Sequence, residues 1–244
     1  MDHRKVALVT GGAKGIGRGV ALALAGRGID VALCYRTSEG PAEETANALR
    51  ALGVRALTVQ GDVSQPEAAK AFVERAAAEL GPATLLVHAA GPYRRGDVLA
   101  ETPEGWRAML SGNLDSFFYC ARLAAPAMIA ARRGRIVAYG MANADRAAAF
   151  PGVAAHYVAK VGVLALVRQL ARALAPHGVT VNAVSPGYID SGSTPDETHA
   201  ALPRIPAGRL GTVDDVVAAT TFLLSDEASY VNGANLIVSG GWGL

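Results

Sequence analysis

The sequence predicts an α/β fold, a seven-stranded parallel sheet with helices on both faces, and three observations carry that expectation. Short apolar runs rich in β-branched residues alternate with longer helical patterns along the chain, as a parallel sheet with crossover helices requires. A glycine-rich turn stands directly between the first run and the first helical pattern. No repeat, low-complexity tract or linker interrupts the 244 residues, and 51% of them are hydrophobic, enough for one large core.

Strands are expected at Val6–Val9, Val31–Tyr35, Val54–Val59, Thr84–His88, Arg135–Tyr139, Val179–Val184 and Asn235–Val238. The first helix follows the glycine turn, runs to Arg27 and is closed by Gly28. Between the third and fourth strands, Ser64-Gln65-Pro66-Glu67 reads as a capping box with proline in the first turn. Ala69, Phe72, Val73, Ala76 and Leu80 then form one apolar stripe, and Gly81-Pro82 stops the helix. From Tyr188 to Leu210 the periodicity is lost and Pro195, Pro203 and Pro206 interrupt short polar segments. Such a stretch, at about 188–210, reads as a mobile lid over a ligand, because a helix resumes at Thr212-Val213-Asp214-Asp215 with another Thr-x-x-acid start.

Composition narrows the function classes. The 23 Lys+Arg and 21 Asp+Glu are interspersed, so a net charge of +2 offers no broad basic face for nucleic acid or an anionic membrane. Arg94-Arg95 and Arg132-Arg133 read as solvated loop and helix ends, the alternative being a clamp for a substrate phosphate. The two cysteines, Cys34 and Cys120, lie in apolar patterns without metal or disulfide spacing, which implies a reducing compartment. The N-terminus runs into Val6-Ala7-Leu8-Val9 too quickly for a signal peptide or membrane span, so a cytoplasmic location is expected.

The turn itself is Thr10-Gly11-Gly12-Ala13-Lys14-Gly15-Ile16-Gly17. Glycines are needed there so that the chain turns sharply, a pyrophosphate reaches the backbone, and a helix packs closely with its N-terminus toward the anion. In this strand-turn-helix context the pattern points to a dinucleotide and a Rossmann-type domain spanning 1–244, with Gly11, Ala13, Lys14, Gly15 and Ile16 against the phosphates. A fold binding NAD usually carries an acid about 20 residues on, at the end of the second strand. Here that strand ends Cys34-Tyr35-Arg36-Thr37-Ser38, and a guanidinium beside two hydroxyls suits a 2′-phosphate, with Lys14 as a second cation. The expected cofactor is therefore NADP(H), with Tyr35 to Ser38 beside its ribose.

These residues resemble the short-chain dehydrogenase/reductases, and the resemblance runs over essentially the whole chain. Thr10 to Gly17 is similar to that family's Thr-Gly-x-x-x-Gly-x-Gly turn, Asp62-Val63 to its adenine-contacting Asp segment, and Asn113 to the Asn of its catalytic tetrad. Ser185-Pro186-Gly187-Tyr188-Ile189 resembles the Pro-Gly segment that holds the nicotinamide amide, which implies cofactor contacts from Pro186, Gly187 and Ile189. The ending Gly208-Arg209-Leu210-Gly211, Phe222-Leu223-Leu224-Ser225 and Val231-Asn232-Gly233 is most like the 3-oxoacyl-carrier-protein reductases of the family. The family's Asn-Asn-Ala-Gly is here His88-Ala89-Ala90-Gly91, which keeps the small residues beside the cofactor and changes the side-chain hydrogen bonds. The family's pairing of long helices, here about Trp106–Ala131 and Gly152–Ala175, implies a homodimer or homotetramer, and the second carries Ala154, Val158, Val161, Ala165 and Leu170.

The resemblance also locates the departures. The position of the family's serine falls on Met141 when counted from Gly134-Arg135-Ile136-Val137 and on Asn143 when counted back, and no serine or threonine occurs from Ile136 to Lys160. Lys160 aligns with the lysine of Tyr-x-x-x-Lys, so His156 occupies the tyrosine position and Tyr157 stands one residue later. An imidazole titrates near neutrality unaided, so His156 is a candidate acid/base, with Lys160 positioning the nicotinamide ribose. Tyr157 is the competing candidate, since i+3 residues are neighbours on a helix. Met141 offers no donor to an oxyanion; Asn143, Tyr93 and Tyr188 each carry one near the expected pocket. Two functions follow: an NADP(H)-dependent reductase of a carbonyl or imine, or a degenerate relative that binds NADP(H) as a sensor, scaffold or partner subunit.

Overall fold

The computed structural model describes residues 5–146, 149–192 and 200–243. The strands β1 (Val6–Thr10), β2 (Asp30–Tyr35), β3 (Ala56–Gln60), β4 (Leu85–His88), β5 (Gly134–Tyr139) and β6 (Val179–Pro186) form one sheet with a C-terminal strand, Asn235–Val238. Its order is β3-β2-β1-β4-β5-β6 and then that last strand, and every pairing is parallel. The winding reverses between β3 and β4, so the crevice at the carboxyl ends of β1 and β4 is where such a sheet binds a ligand.

Both faces of the sheet are covered, which is why β1, β2, β4 and β5 read as unbroken apolar runs and are buried along their whole length. Alternate residues of β1 serve opposite sides: Val6 and Leu8 pack with Phe72 and Phe117, and Ala7 and Val9 with Val20 and Leu24. The first group belongs to helices α3 (Pro66–Leu80), α5 (Ser116–Ala130) and α6 (Ala154–Leu174), the second to α1 (Gly15–Ala25) and α2 (Glu39–Ala51). Another helix on that second side, α7 (Val213–Leu223), lies so close to α1 that a Cβ on Gly19 would stand 2.5 Å from Val213.

Several local expectations change. The first helix stops at Ala25, and Gly28, at φ 74°, makes the turn instead of closing the helix. No capping box forms at Ser64, because its backbone N–H and hydroxyl both turn back to Asp62, leaving Gln65 as the N-cap without a side-chain bond. Thr212 and Asp215 do form a capping box, with both reciprocal hydrogen bonds. The first long helix is interrupted: α4 (Pro103–Leu110) passes through a π-helical turn, Ser111–Asp115, into α5. Within the expected lid, 193–199 lies outside the described residues; β7 (Ile189–Asp190) and β8 (Gly211–Thr212) pair in parallel and tie the two ends together. The Asn235–Val238 strand is β9.

A buried chain of hydrogen bonds positions the crevice. The Ala90 N–H donates to Thr10 Oγ1 at 3.1 Å, and that hydroxyl lies 3.1 Å from His88 Nδ1. His88 Nε2 lies 3.0 Å from Ser116 Oγ, which itself donates to the Gly112 carbonyl at 2.8 Å. Because the Ser116 proton is committed to a carbonyl, Nε2 must carry the imidazole proton and Nδ1 must accept from Thr10. Burial, then the Lys160 charge, pushes the imidazole down to about 3, so it stays neutral. His88 thus locks the ends of β1 and β4 to the π turn. Replacing it in His88→Ala leaves a cavity and two buried hydroxyls each short of a partner. A loss of about 3 kcal/mol in unfolding free energy is expected in urea titrations followed by circular dichroism; a loss under about 0.5 kcal/mol would show that the lock is dispensable.

Candidate functional site

The first region of the crevice is the turn from β1 into α1. Gly11 has φ 65°, and a Cβ there would stand 2.8 Å from the Ala89 carbonyl oxygen; a Cβ on Gly17 would stand 2.3 Å from that of Gly11. Only glycine permits this approach of the turn to the Ala89-Ala90 backbone. Helix α1 has Lys14 as its N-cap, with no side-chain cap bond and no acid in its first turn, so the amides at its N-terminus remain for an external anion. These features fit a dinucleotide pyrophosphate.

Beyond β2, Arg36 is exposed and its guanidinium lies 3.6 Å from the Asp62 carboxylate. Burial raises the Asp62 carboxyl, but hydrogen bonds from Ser64 and the Arg36 charge outweigh it and hold the group below its usual range. Lys14 and Thr37 are exposed and Ser38 is half-buried. The Tyr35 and Val63 side chains belong to the two cores, so any contribution of theirs to this surface comes from the backbone. The same holds for His88, whose ring nitrogens are both engaged inside.

The second region is a cavity of about 720 Å³. His156, Lys160, Tyr93, Met141 and Tyr188 line it, together with Pro186, Gly187 and Ile189. Behind the cavity wall two side chains share one acceptor, the Pro92 carbonyl: Asn113 Nδ2 donates to it at 3.0 Å and His156 Nδ1 at 3.2 Å. Asn113 Nδ2 also donates to the Met109 carbonyl at 3.0 Å, while its Oδ1 is buried and has no hydrogen-bond partner among the described residues. A Cβ on Gly91 would stand 2.4 Å from that Oδ1, so glycine there lets the two segments touch. A carbonyl only accepts, so His156 Nδ1 carries the proton and Nε2 is left as an acceptor, without a hydrogen bond among the described residues.

Lys160 is buried and donates to the Tyr139 carbonyl at 2.9 Å. Burial brings its ammonium down to about 8, and burial with the Lys160 charge brings His156 down to about 4, only partly opposed by the Pro92 carbonyl. At neutral pH the site therefore combines a neutral imidazole with a nearby ammonium.

Asn143 and Tyr157 do not join this group. Asn143 takes a positive φ of 69° and its amide is set against Gly243, so it does not line the cavity. The Tyr157 hydroxyl donates to the Arg146 carbonyl at 2.6 Å, its ring packs on Phe150, and it does not line the cavity. Met141 lines the cavity at the position where Asn143 was the alternative. Arg95, whose doublet has a substrate clamp as its alternative reading, also lines it, and sequence reasoning missed Trp242, Phe150 and Arg204. None of them belongs to a motif, and the fold gathers them around His156.

Two histidines that are neutral in the fold titrate in their usual range once unfolded. Unfolding therefore takes up protons below about pH 6.5, and stability falls as pH drops from there toward 4, in a window above most carboxylates. Lys160 acts at the other end: the unfolded chain holds its proton between about 8 and 10.5, so stability gains as pH rises across that range. Near pH 5 the histidine effect is expected to be about 2 to 3 kcal/mol per pH unit in urea titrations; a flat profile between pH 5 and 6.5 would show that both rings are charged in the fold.

Residues 11–243 match the family model described as Enoyl-(Acyl carrier protein) reductase. The chain is 36% identical over 245 residues to the 3-oxoacyl-[acyl-carrier-protein] reductase FabG of Staphylococcus aureus, covering 99% of each. It is also 36% identical over 241 residues to that of Escherichia coli K12, covering 97% of this chain and 96% of the other. Among solved structures it is similar to acetoin dehydrogenase YohF from Salmonella typhimurium, with TM-score 0.90, 34% identity and coverage of 98% and 96%. A blue fluorescent protein from a metagenomic library, in complex with NADPH, matches with TM-score 0.91, 32% identity and 98% of both chains. The glycine turn, the single seven-stranded parallel sheet and these full-length matches have one reading: the chain belongs to the short-chain dehydrogenase/reductase family of oxidoreductases.

Proposed function

We propose that this chain is an NADP(H)-dependent oxidoreductase that reduces a carbonyl or imine by hydride transfer, with His156 in place of the family's tyrosine. The observation that supports it is the pairing of His156 and Lys160 in one cavity, with the imidazole Nδ1 committed to Pro92 and Nε2 left for a substrate. NADP(H), when bound, supplies the hydride. The turn residues Gly11, Ala13, Gly15 and Ile16 would hold its phosphates, with Ala89, Ala90 and Gly91 alongside; Arg36, Lys14, Thr37 and Ser38 would face the 2′-phosphate and Asp62 the adenine side. Pro186, Gly187 and Ile189 would hold the nicotinamide, and Lys160 its ribose.

His156 manages the proton. Nε2 takes a proton from solvent and passes it to the substrate oxygen or nitrogen as negative charge develops there, while the Pro92 carbonyl stabilises the transient imidazolium through Nδ1. Lys160 opposes that charge and keeps the resting ring neutral, so reduction accelerates as pH falls from 7 toward 5. Asn113 holds the Gly91-Pro92 segment against the π turn and so fixes the acceptor on which His156 rests. Met141 gives no donor to the substrate oxygen, and that loss favours a second reading, in which the chain binds NADP(H) as a sensor, scaffold or partner subunit.

A homodimer or homotetramer is part of the proposal, because Phe118 of α5 and Val158 and Val161 of α6 are exposed at 42%, 43% and 38% on the helices that the family pairs. Light scattering at the monomer mass would remove this part. For the chemistry, His156→Phe is expected to lower NADPH oxidation with a carbonyl substrate by about 100-fold or more, leaving NADPH affinity unchanged, and Tyr157→Phe to leave the rate intact. In the same assay, Arg36→Gln is expected to weaken NADPH by about tenfold and NADH little. Full turnover in His156→Phe would refute the acid/base assignment, and NADPH binding without turnover on any carbonyl or imine would support the second reading.

A further inference from the structure

Aromatic residues are only 6% of the chain, yet Tyr93, Phe150, Tyr188 and Trp242 all line the cavity around His156. Tyr188 and Trp242 meet edge to face with centroids 4.8 Å apart, and Phe150 continues that wall at 6.4 Å from Trp242. Tyr93 stands edge-on to the His156 ring with centroids 5.0 Å apart. Its hydroxyl accepts from Arg95 Nε at 3.0 Å, so the acid/base candidate, an aromatic surface and a guanidinium form one continuous strip. Arg95 and a second guanidinium, Arg204, line the cavity and are exposed, which puts both where it meets solvent.

We infer that this cavity takes a ring-bearing carbonyl compound with a carboxylate at its far end, stacked on Tyr93 and the Tyr188–Trp242 wall, rather than a linear acyl thioester. The inference rests on reading the cavity as the substrate site of the proposed reductase. A flat ring gains edge and face contacts with several aromatic side chains and has few torsions to freeze, whereas a linear chain buries similar area only by fixing many rotors. With its carbonyl at His156, a substrate lying along Tyr93 brings its distal end to Arg95. A guanidinium there recognises a carboxylate by paired charge-assisted hydrogen bonds. The volume of about 720 Å³ accommodates such a molecule beside a nicotinamide ring.

The test uses the full chain with NADPH added and follows quenching of Trp242 fluorescence, the Trp242→Phe variant serving to subtract the Trp106 signal. The probes are 2-naphthoate, its neutral amide and octanoate. Naphthoate is expected to bind about tenfold tighter than either of the others, and Arg204→Gln and Arg95→Gln each to remove most of that preference without changing NADPH affinity. In turnover, 4-acetylbenzoate should exceed both acetophenone and an acetoacetyl thioester of N-acetylcysteamine in kcat/KM, with the gain in KM. Equal binding of the three probes, or a preference unmoved by the arginine substitutions, overturns the inference. Fast reduction of the thioester without naphthoate binding overturns it too and leaves the reductase proposal standing. Arginine-dependent naphthoate binding without turnover of any carbonyl upholds the recognition chemistry and overturns the reductase proposal.

Discussion

Two donors from different helical elements, Asn113 of the π turn and His156 of α6, converge on the Pro92 carbonyl, and the rest of the candidate site depends on that shared acceptor. Proline has no N–H to offer a ladder, so the segment after β4 leaves the sheet and presents its carbonyl inward. Glycines on both sides make the approach sterically possible: a Cβ on Gly91 would meet Asn113, one on Gly112 would stand 2.5 Å from Pro92, and one on Gly162 would stand 2.8 Å from Leu114. The π turn fits the same purpose, because it changes the phase of the helix where Asn113 has to point at the loop. Moving this carbonyl would release the His156 tautomer, and with it the acceptor left at the cavity wall.

The chain uses histidine at two positions where related sequences are expected to carry other residues, and the environment gives them different roles. His88 has both nitrogens satisfied inside the protein, by Thr10 and Ser116, and is a fixed strut. His156 has one nitrogen satisfied and one left over, at the wall of a cavity. Both are driven toward the neutral form by burial and by Lys160, so what separates strut from acid/base candidate is the count of partners, not the titration. Lys160 is also lowered by burial, and its bond to the Tyr139 carbonyl keeps it beside the imidazole.

Met141 and a set of aromatic side chains line the same cavity. Tyr93, Phe150, Tyr188 and Trp242 surround it, and among the described residues its charged side chains are Lys160, Arg95 and Arg204. Asn143 does not line this cavity, because its left-handed backbone turns the amide to the C-terminal segment at Gly243.

Much of the protein is legible without coordinates. The alternation of apolar runs and helical patterns determines the parallel sheet, since strands buried on both faces have to be apolar throughout. The glycine turn determines where an anion can approach, since Gly11 and Gly17 occupy places no Cβ can enter. Arg36 and the lack of an acid after β2 are likewise local facts. What only the tertiary structure decides is which distant side chains share a cavity and which hydrogen bonds are already taken. Tyr157 and His156 are adjacent in sequence, yet Tyr157 turns to Arg146 and His156 to Pro92. Capping at Ser64 fails because Asp62 competes for the same groups, a contest between neighbours that pattern alone does not rank. Trp242 reaches the site only because β9 runs beside β6 and delivers the C-terminal turn to the cavity. Local sequence carries backbone preference and burial period; long-range packing chooses among side chains that satisfy both equally well.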